Sequence, residues 1–207
     1  MTSVAELIVA SPIEPWQAIG LHVVDGVARI GGIALRFVPV EADGREGVTS
    51  WGLAGNPSAD VADIDGLATH HLDGPPAGPT DHPLGIAGFD HLVVMTSSLE
   101  RTCGAIEAAT GEPLKRIREA GPIRQGFHRL GELIIEVVES AQVTAPQAAF
   151  WGFVWNLTDL HEACAQLGTE IVSLPKAAVQ PGRFIATVRA QVGLGLPLAL
   201  MTPPSRP

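Results

Sequence analysis

The chain has 207 residues, and 46% of them are hydrophobic, which is enough to build a buried core. Its formal net charge of −9 argues against a nucleic-acid partner, since such proteins need a basic surface. No apolar run is long enough to cross a bilayer, and Glu6 interrupts the only apolar run near the N-terminus, so no secretory signal is recognised. These features predict a cytoplasmic protein whose partner is a neutral or cationic small molecule.

The first 55 residues predict a small unit with the element order β-α-β-β-β. Its strands are expected at residues 6–10, 21–24, 27–38 and 48–53, and a helical turn at residues 15–19. Asp25-Gly26 is typical of a tight hairpin turn, and the Gly31-Gly32 pair indicates a bulge or bend inside the third strand.

Residues 56–86 are rich in proline and glycine, as in Asp73-Gly74-Pro75-Pro76, and predict an extended connector that lies over the surface. The connector carries His70, His71 and His82. These histidines are either metal ligands or, as is more usual in such a segment, solvent-exposed residues.

Two similar units follow, at residues 87–140 and 147–203. Each begins with a strand and continues into a capped helix, with Ser97 or Ser98 capping the first helix and Thr158 the second. The remaining strands are expected at residues 113–118, 123–130 and 132–139, and at residues 170–174, 183–190 and 197–202.

The two units match at a constant spacing, which is the strongest signal in the chain. The matching pairs are Phe89 and Phe150, Leu99 and Leu160, Cys103 and Cys164, and Ile106 and Leu167. Because both cysteines fall on the apolar face of their helix, we interpret them as packing residues rather than nucleophiles or disulfide partners.

At this point the chain resembles the glyoxalase/bleomycin-resistance/dioxygenase superfamily, also called vicinal oxygen chelate proteins. The resemblance is carried by residues 89–94, by residues 127–136 and by the stretch from Trp151 to Leu160. It implies an α+β fold in which two βαβββ modules pair into a half-open barrel around a ligand cavity, with residues 1–55 as an additional degenerate module. Members include metal-dependent lyases and isomerases as well as proteins that only sequester a drug.

The resemblance also implies a metal site in the cavity. His91 matches the ligand on the first strand of a module and Glu136 the ligand on its last strand. In the second module Gly152 and either Leu200 or Met201 stand where two further ligands are expected, so His128 and Gln180 are the candidates to complete the site.

Three functions remain open from the sequence, the third being a structural or interaction module whose cavity is filled by side chains. The first is a lyase or isomerase that uses one divalent metal (Zn, Ni, Mn or Fe) and acts on a small carbonyl compound. The second is a metal-free binding protein whose cavity is lined by aromatic residues, namely Trp151, Phe153, Trp155 and Phe184. Since the N-terminal unit has no partner module in this scheme, we also expect a homodimer.

Overall fold

The computed structural model describes residues 1–55, 57 and 61–204, which form two β-sheets. The first sheet has six strands and the second has eight. No helix of these described residues is long and apolar enough to cross a membrane.

The six-stranded sheet has the order β2-β3-β1-β4-β6-β5. Its elements are β1 (Ser3–Ala10), α1 (Glu14–Ala18), β2 (Val27–Ile30), β3 (Ile33–Val38), β4 (Gly47–Ala54), β5 (Asp63–Ile64) and β6 (Leu67–His71). β1 is parallel to β3 and β4 is parallel to β6, whereas β1 and β4 are antiparallel to each other.

Three expectations for this region are corrected. Gly31 has a φ of 60° and forms with Gly32 the turn of the β2–β3 hairpin, so residues 27–38 make two strands and no bulge. Residues 21–24 contribute only the single bridge between Val24 and Val27. The predicted connector contains β5 and β6, because Asp65-Gly66 forms a tight turn that lets Ile64 and Leu67 enter the core.

The eight-stranded sheet has the order β12-β13-β14-β11-β7-β10-β9-β8. Its first half contains β7 (Ile86–Thr96), α2 (Leu99–Thr110), β8 (Arg116–Ala120), β9 (Ile123–Leu130) and β10 (Leu133–Ser140). Its second half contains β11 (Ala149–Leu157), α3 (Leu160–Leu167), β12 (Lys176–Ala177), β13 (Phe184–Thr187) and β14 (Leu198–Met201).

The predicted pair of βαβββ modules is confirmed. In each module the first strand is parallel to the last, and β7 and β11 meet antiparallel at the centre of the sheet. Leu99 and Leu160 are both buried under equivalent helices, at 0% and 1% exposure. The first helix is capped by Ser98, one of the two serines expected, whereas the second is capped by Asp159 rather than Thr158. Both side chains accept a hydrogen bond from a free backbone N–H group of the first turn. Residues 170–174 form no strand and contribute only the bridge between Val172 and Val188.

The two sheets pack against each other through aromatic residues. The indole of Trp16 in α1 is fully buried, and its ring centroid lies 5.9 Å from that of Phe153 and 5.8 Å from that of Trp155. Asp65 in the β5–β6 turn forms an ion pair with Arg101 on α2 at 2.8 Å. The N-terminal sheet therefore covers its apolar face within the same chain. The division into domains at residues 55 and 86 stays a prediction.

Candidate functional site

The eight-stranded sheet curves around an open cavity of about 590 Å³. Apolar residues make up most of its lining, and they come from both modules: Val93, Met95, Ile123, Val138, Trp151, Phe153, Val154, Ile185, Pro197, Leu198 and Ala199. The polar residues that line the cavity include His91 and Glu136.

His91 and Glu136 meet in this cavity, as their positions along the strands dictate. Residues that pair side by side in a sheet face the same side, and Glu136 pairs with Val93, two residues beyond His91. The His91 Nε2 atom lies 3.2 Å from Glu136 Oε2, and both side chains are largely shielded from solvent, at 15% and 13% exposure. Whether this pair binds a metal or a ligand stays a prediction.

A β-bulge brings Asp90 to the other side of the same imidazole. His91 pairs with Val154 and Phe89 pairs with Trp155, which leaves Asp90 as an extra residue in β7. Bulges of this kind redirect side chains near functional sites. His91 Nδ1 consequently lies 2.8 Å from Asp90 Oδ1, so the ring is held between two carboxylates and donates to both only when it carries two protons.

Arg183 from the second module supports this arrangement from behind. Its Nη2 atom donates to Asp90 Oδ2 at 2.6 Å and to Asn156 Oδ1 at 2.7 Å, and both Asp90 and Arg183 are buried. Burial acts to raise the pKa of the Asp90 carboxyl, but hydrogen bonds from His91 and Arg183 outweigh it and hold that pKa below its usual value. The Asp90 carboxylate is thus kept charged, and it fixes the orientation of His91.

Gln125 is a site residue that the sequence reasoning missed. It pairs with Val138 across β9 and β10, and its Nε2 atom donates to Glu136 Oε1. Its Oε1 atom is buried and has no partner among the described residues. Gln125 could have been predicted from the β9–β10 register, because it alternates with Phe127 on the face of β9 that is turned toward the cavity.

The two residues proposed to complete a metal site lie elsewhere. His128 pairs with Ile135, and this places it on the opposite face of the sheet from Glu136. It is 1% exposed, its Nδ1 atom donates to the carbonyl of Glu112, and burial lowers its pKa. Gln180 is exposed in the turn before β13, outside the residues that line the cavity.

The predicted aromatic lining is corrected in part. Trp151 lines the cavity and is 52% exposed. Phe153 also lines the cavity, although it is 2% exposed and its ring packs against Trp16. Trp155 lies outside the cavity lining and packs in the core against Trp16. Phe184 is 40% exposed and contacts His161.

The second module offers no metal ligand. The pairing that links Glu136 to Val93 links Ala199 to Val154, so Ala199, rather than Leu200 or Met201, occupies the equivalent position. Leu200 and Met201 are buried in the core. A Cβ atom at Gly152 would lie 2.2 Å from the carbonyl oxygen of Pro197, so no side chain fits there.

These residues do not fit a metal cofactor of the usual kind. A catalytic metal takes about three protein ligands, whereas His91 and Glu136 are two. No group of three or more His, Cys, Asp or Glu residues with metal-binding geometry occurs among the described residues.

The six-stranded sheet holds an ion-pair cluster at the positions equivalent to His91, Glu136, Gly152 and Ala199. By the register used above they are Glu6, Arg36, Ser50 and His70. Glu6 is 2% exposed, its Oε1 atom lies 2.7 Å from Arg36 Nε, and its Oε2 atom lies 3.0 Å from His70 Nε2. The Glu6 carboxylate thus has both of its partners, Arg36 and His70, within the cluster.

The histidines of the predicted connector are thus placed separately. His70 belongs to the cluster just described, and His71 is exposed. The expectation of solvent exposure is wrong for His82, which is buried and bonds to His22 N and to the carbonyl of Arg29.

Comparison with known proteins identifies the fold. No protein-family model matches the chain, and no curated protein sequence matches it. A mutant of 4-hydroxymandelate synthase from Streptomyces coelicolor matches with a TM-score of 0.66 and 12% identity, over 99% of this chain and 94% of that chain. A methylmalonyl-CoA epimerase from Mycobacterium tuberculosis matches with a TM-score of 0.49 and 14% identity, over 58% of this chain and 91% of that chain. At these identities the likeness shows the fold alone.

Proposed function

Because the chain has the glyoxalase-like fold of vicinal oxygen chelate proteins, we propose that it binds a small, largely apolar molecule in the cavity of its eight-stranded sheet without a metal. The observation that carries this proposal is the loss of both ligand positions in the second module, at Gly152 and Ala199. Most of the residues that line the cavity are apolar, which suits a ligand with an apolar body.

The polar end of the ligand is expected to meet His91 and Glu136. A cavity of this type obtains its specificity from a few placed polar groups within an apolar wall. Asp90 and Arg183 hold the imidazole in place, and Gln125 holds the carboxylate, so both groups are oriented before the ligand arrives.

Tryptophan fluorescence tests the proposal directly. The chain has four tryptophans, and Trp151 is 52% exposed while Trp16, Trp51 and Trp155 are 0% exposed. A screen of small apolar alcohols and amines should contain compounds that shift the Trp151 emission to shorter wavelength and raise the melting temperature. Trp151→Phe should abolish the emission change. If no compound changes either signal, the proposal is wrong.

A metal-dependent lyase or isomerase acting on a small carbonyl compound is the second candidate. The separation of 3.2 Å between His91 Nε2 and Glu136 Oε2 favours it, since two ligands of one ion lie about this close. The similar solved structures include enzymes, namely an epimerase and a synthase.

Metal titration separates the two candidates. The melting temperature is measured with Zn²⁺, Mn²⁺ or Ni²⁺ and with a chelator, for the unmodified protein, His91→Ala, Glu136→Ala and the exposed control His71→Ala. A metal-dependent rise in the unmodified protein and in His71→Ala, absent from the two site variants, would replace the first proposal by the second.

Assembly and location are further proposals. A cytoplasmic location is supported by the two free, buried cysteines. A homodimer is supported by the exposed apolar residues near β12 and β13, such as Leu174 at 72% and Val179 at 69% exposure. Sedimentation equilibrium at several concentrations tests the homodimer, and a constant monomer mass would reject it.

A further inference from the structure

A second cavity of about 690 Å³ adjoins the ligand cavity. Three residues line both cavities, namely Trp151, Thr187 and Pro197. The second cavity is lined by the loop before β14 and by Glu46 of the N-terminal region. A ligand long enough to pass over these three residues would contact both linings.

Trp151 forms the boundary between the two cavities. It is an extra residue in β11, because Phe150 pairs with Val94 while Gly152 pairs with the adjacent Val93. This bulge leaves a large aromatic side chain half-exposed beside the site. An exposed indole provides an apolar face for the flat side of a ring and a polar N–H at its edge.

Two charged side chains that line the second cavity, Arg189 and Glu46, have hydrogen-bonding groups without a partner among the described residues. Arg189 Nε donates to the carbonyl of Thr169, and its terminal amino groups donate to no residue that the structure describes. Within the same described ranges, the Glu46 carboxylate forms no ion pair and accepts no hydrogen bond. A group that fits here must both donate and accept hydrogen bonds, and vicinal hydroxyls do both.

We propose that the ligand is a glycoside. Its largely apolar aglycone lies in the first cavity with its polar atom at His91 and Glu136, and its sugar packs on Trp151 and bonds to Arg189 and Glu46. This inference rests on the proposed function of the first cavity and specifies its ligand class. Linking the two parts in one molecule should give higher affinity than either part alone, since the second contact is then intramolecular.

Calorimetric titration with three probes tests the inference. The probes are 1-octanol for the aglycone site, methyl β-D-glucoside for the sugar site, and n-octyl β-D-glucoside below its micellar concentration for both. Octyl glucoside should bind about tenfold more tightly than octanol, and methyl glucoside should bind most weakly. Arg189→Ala and Glu46→Gln should each remove most of this gain and leave octanol binding unchanged. The exposed Arg45→Ala serves as the matched control and should retain the gain.

The outcomes distinguish the two proposals. If octanol binds and octyl glucoside binds no better, or if the gain survives in Arg189→Ala and Glu46→Gln, the glycoside inference is overturned while the first cavity stands as a binding site. If neither octanol nor octyl glucoside binds, the glycoside inference is overturned, and the screen of alcohols and amines decides whether the first cavity is a binding site.

Discussion

Asp90 and Arg183 form a buried ion pair with a separation of 2.6 Å, and breaking it should be costly. Asp90→Asn leaves the guanidinium without its charge partner, which should lower the free energy of unfolding by about 3 kcal/mol at pH 7. The exposed Asp81→Asn is the control and should change stability by less than about 0.5 kcal/mol. Urea unfolding at pH 7 measures both.

The same pair predicts a pH dependence. Because the pKa of Asp90 is lowered in the folded protein, its charged form contributes stability above the usual carboxyl pKa of 3.8. This contribution is lost as the pH falls through the lower, folded-state pKa. The stability difference between the unmodified protein and Asp90→Asn should therefore shrink in acid. A difference that stays constant down to pH 3 would contradict the assigned role.

The cysteines should be unreactive in the folded protein. Burial raises the pKa of the Cys103 thiol to about 12 and also raises the pKa of Cys164, so neither forms the nucleophilic thiolate at neutral pH. Neither should react with a disulfide reagent at pH 8 until denaturant is added. Rapid modification of one thiol in the native protein would reject the interpretation of both as packing residues.

At the level of elements, the contact between β11 and the start of β14 predicts a clear difference between two glycines. Gly152→Ala places a methyl group against the Pro197 carbonyl and should cost about 3 kcal/mol of stability. Gly104→Ala is the control, since a Cβ there meets nothing within 4 Å and α2 should gain up to about 1 kcal/mol. Thermal unfolding of both variants checks this. If the two variants changed the melting temperature equally, the close contact between Gly152 and Pro197 would not contribute to stability.

The elements that could be predicted are those with local signals. The helices α2 and α3 are predicted by the spacing of their apolar residues and by the glycine that follows each of them. The matching residues of the two modules support both predictions. β5 and β6 were missed because they are short, and the proline and glycine content around them masks two apolar residues.

The site could be predicted only where it depends on strand alternation. His91 and Glu136 followed from the family resemblance and from alternation, and both face the cavity. Asp90 and Arg183 are far apart in the chain and meet through a bulge, which has no signature in the sequence. Trp155 was expected in the cavity because the contact between β11 and the N-terminal sheet, where its ring packs against Trp16, was not foreseen.

For the whole molecule, the aromatic contact between the sheets predicts cooperative unfolding. Trp16→Ala removes a fully buried indole that touches residues of both sheets, and it should cost about 3–5 kcal/mol. Calorimetry should show one transition for the unmodified protein, shifted as a whole in the variant. Phe184→Ala, at a 40% exposed position, should shift it far less. Two separate transitions in the unmodified protein would show that the sheets fold independently.

The cluster of Glu6, Arg36 and His70 has a consequence for engineering. The six-stranded sheet already presents a carboxylate and an imidazole 3.0 Å apart, from strands on either side of its centre. The third position is taken by a guanidinium, which has no lone pair for a metal. Arg36→His would replace the guanidinium with a third donor. This sheet, whose strands lie between Ser3 and His71, is therefore one substitution away from the number of protein ligands that a catalytic zinc centre takes.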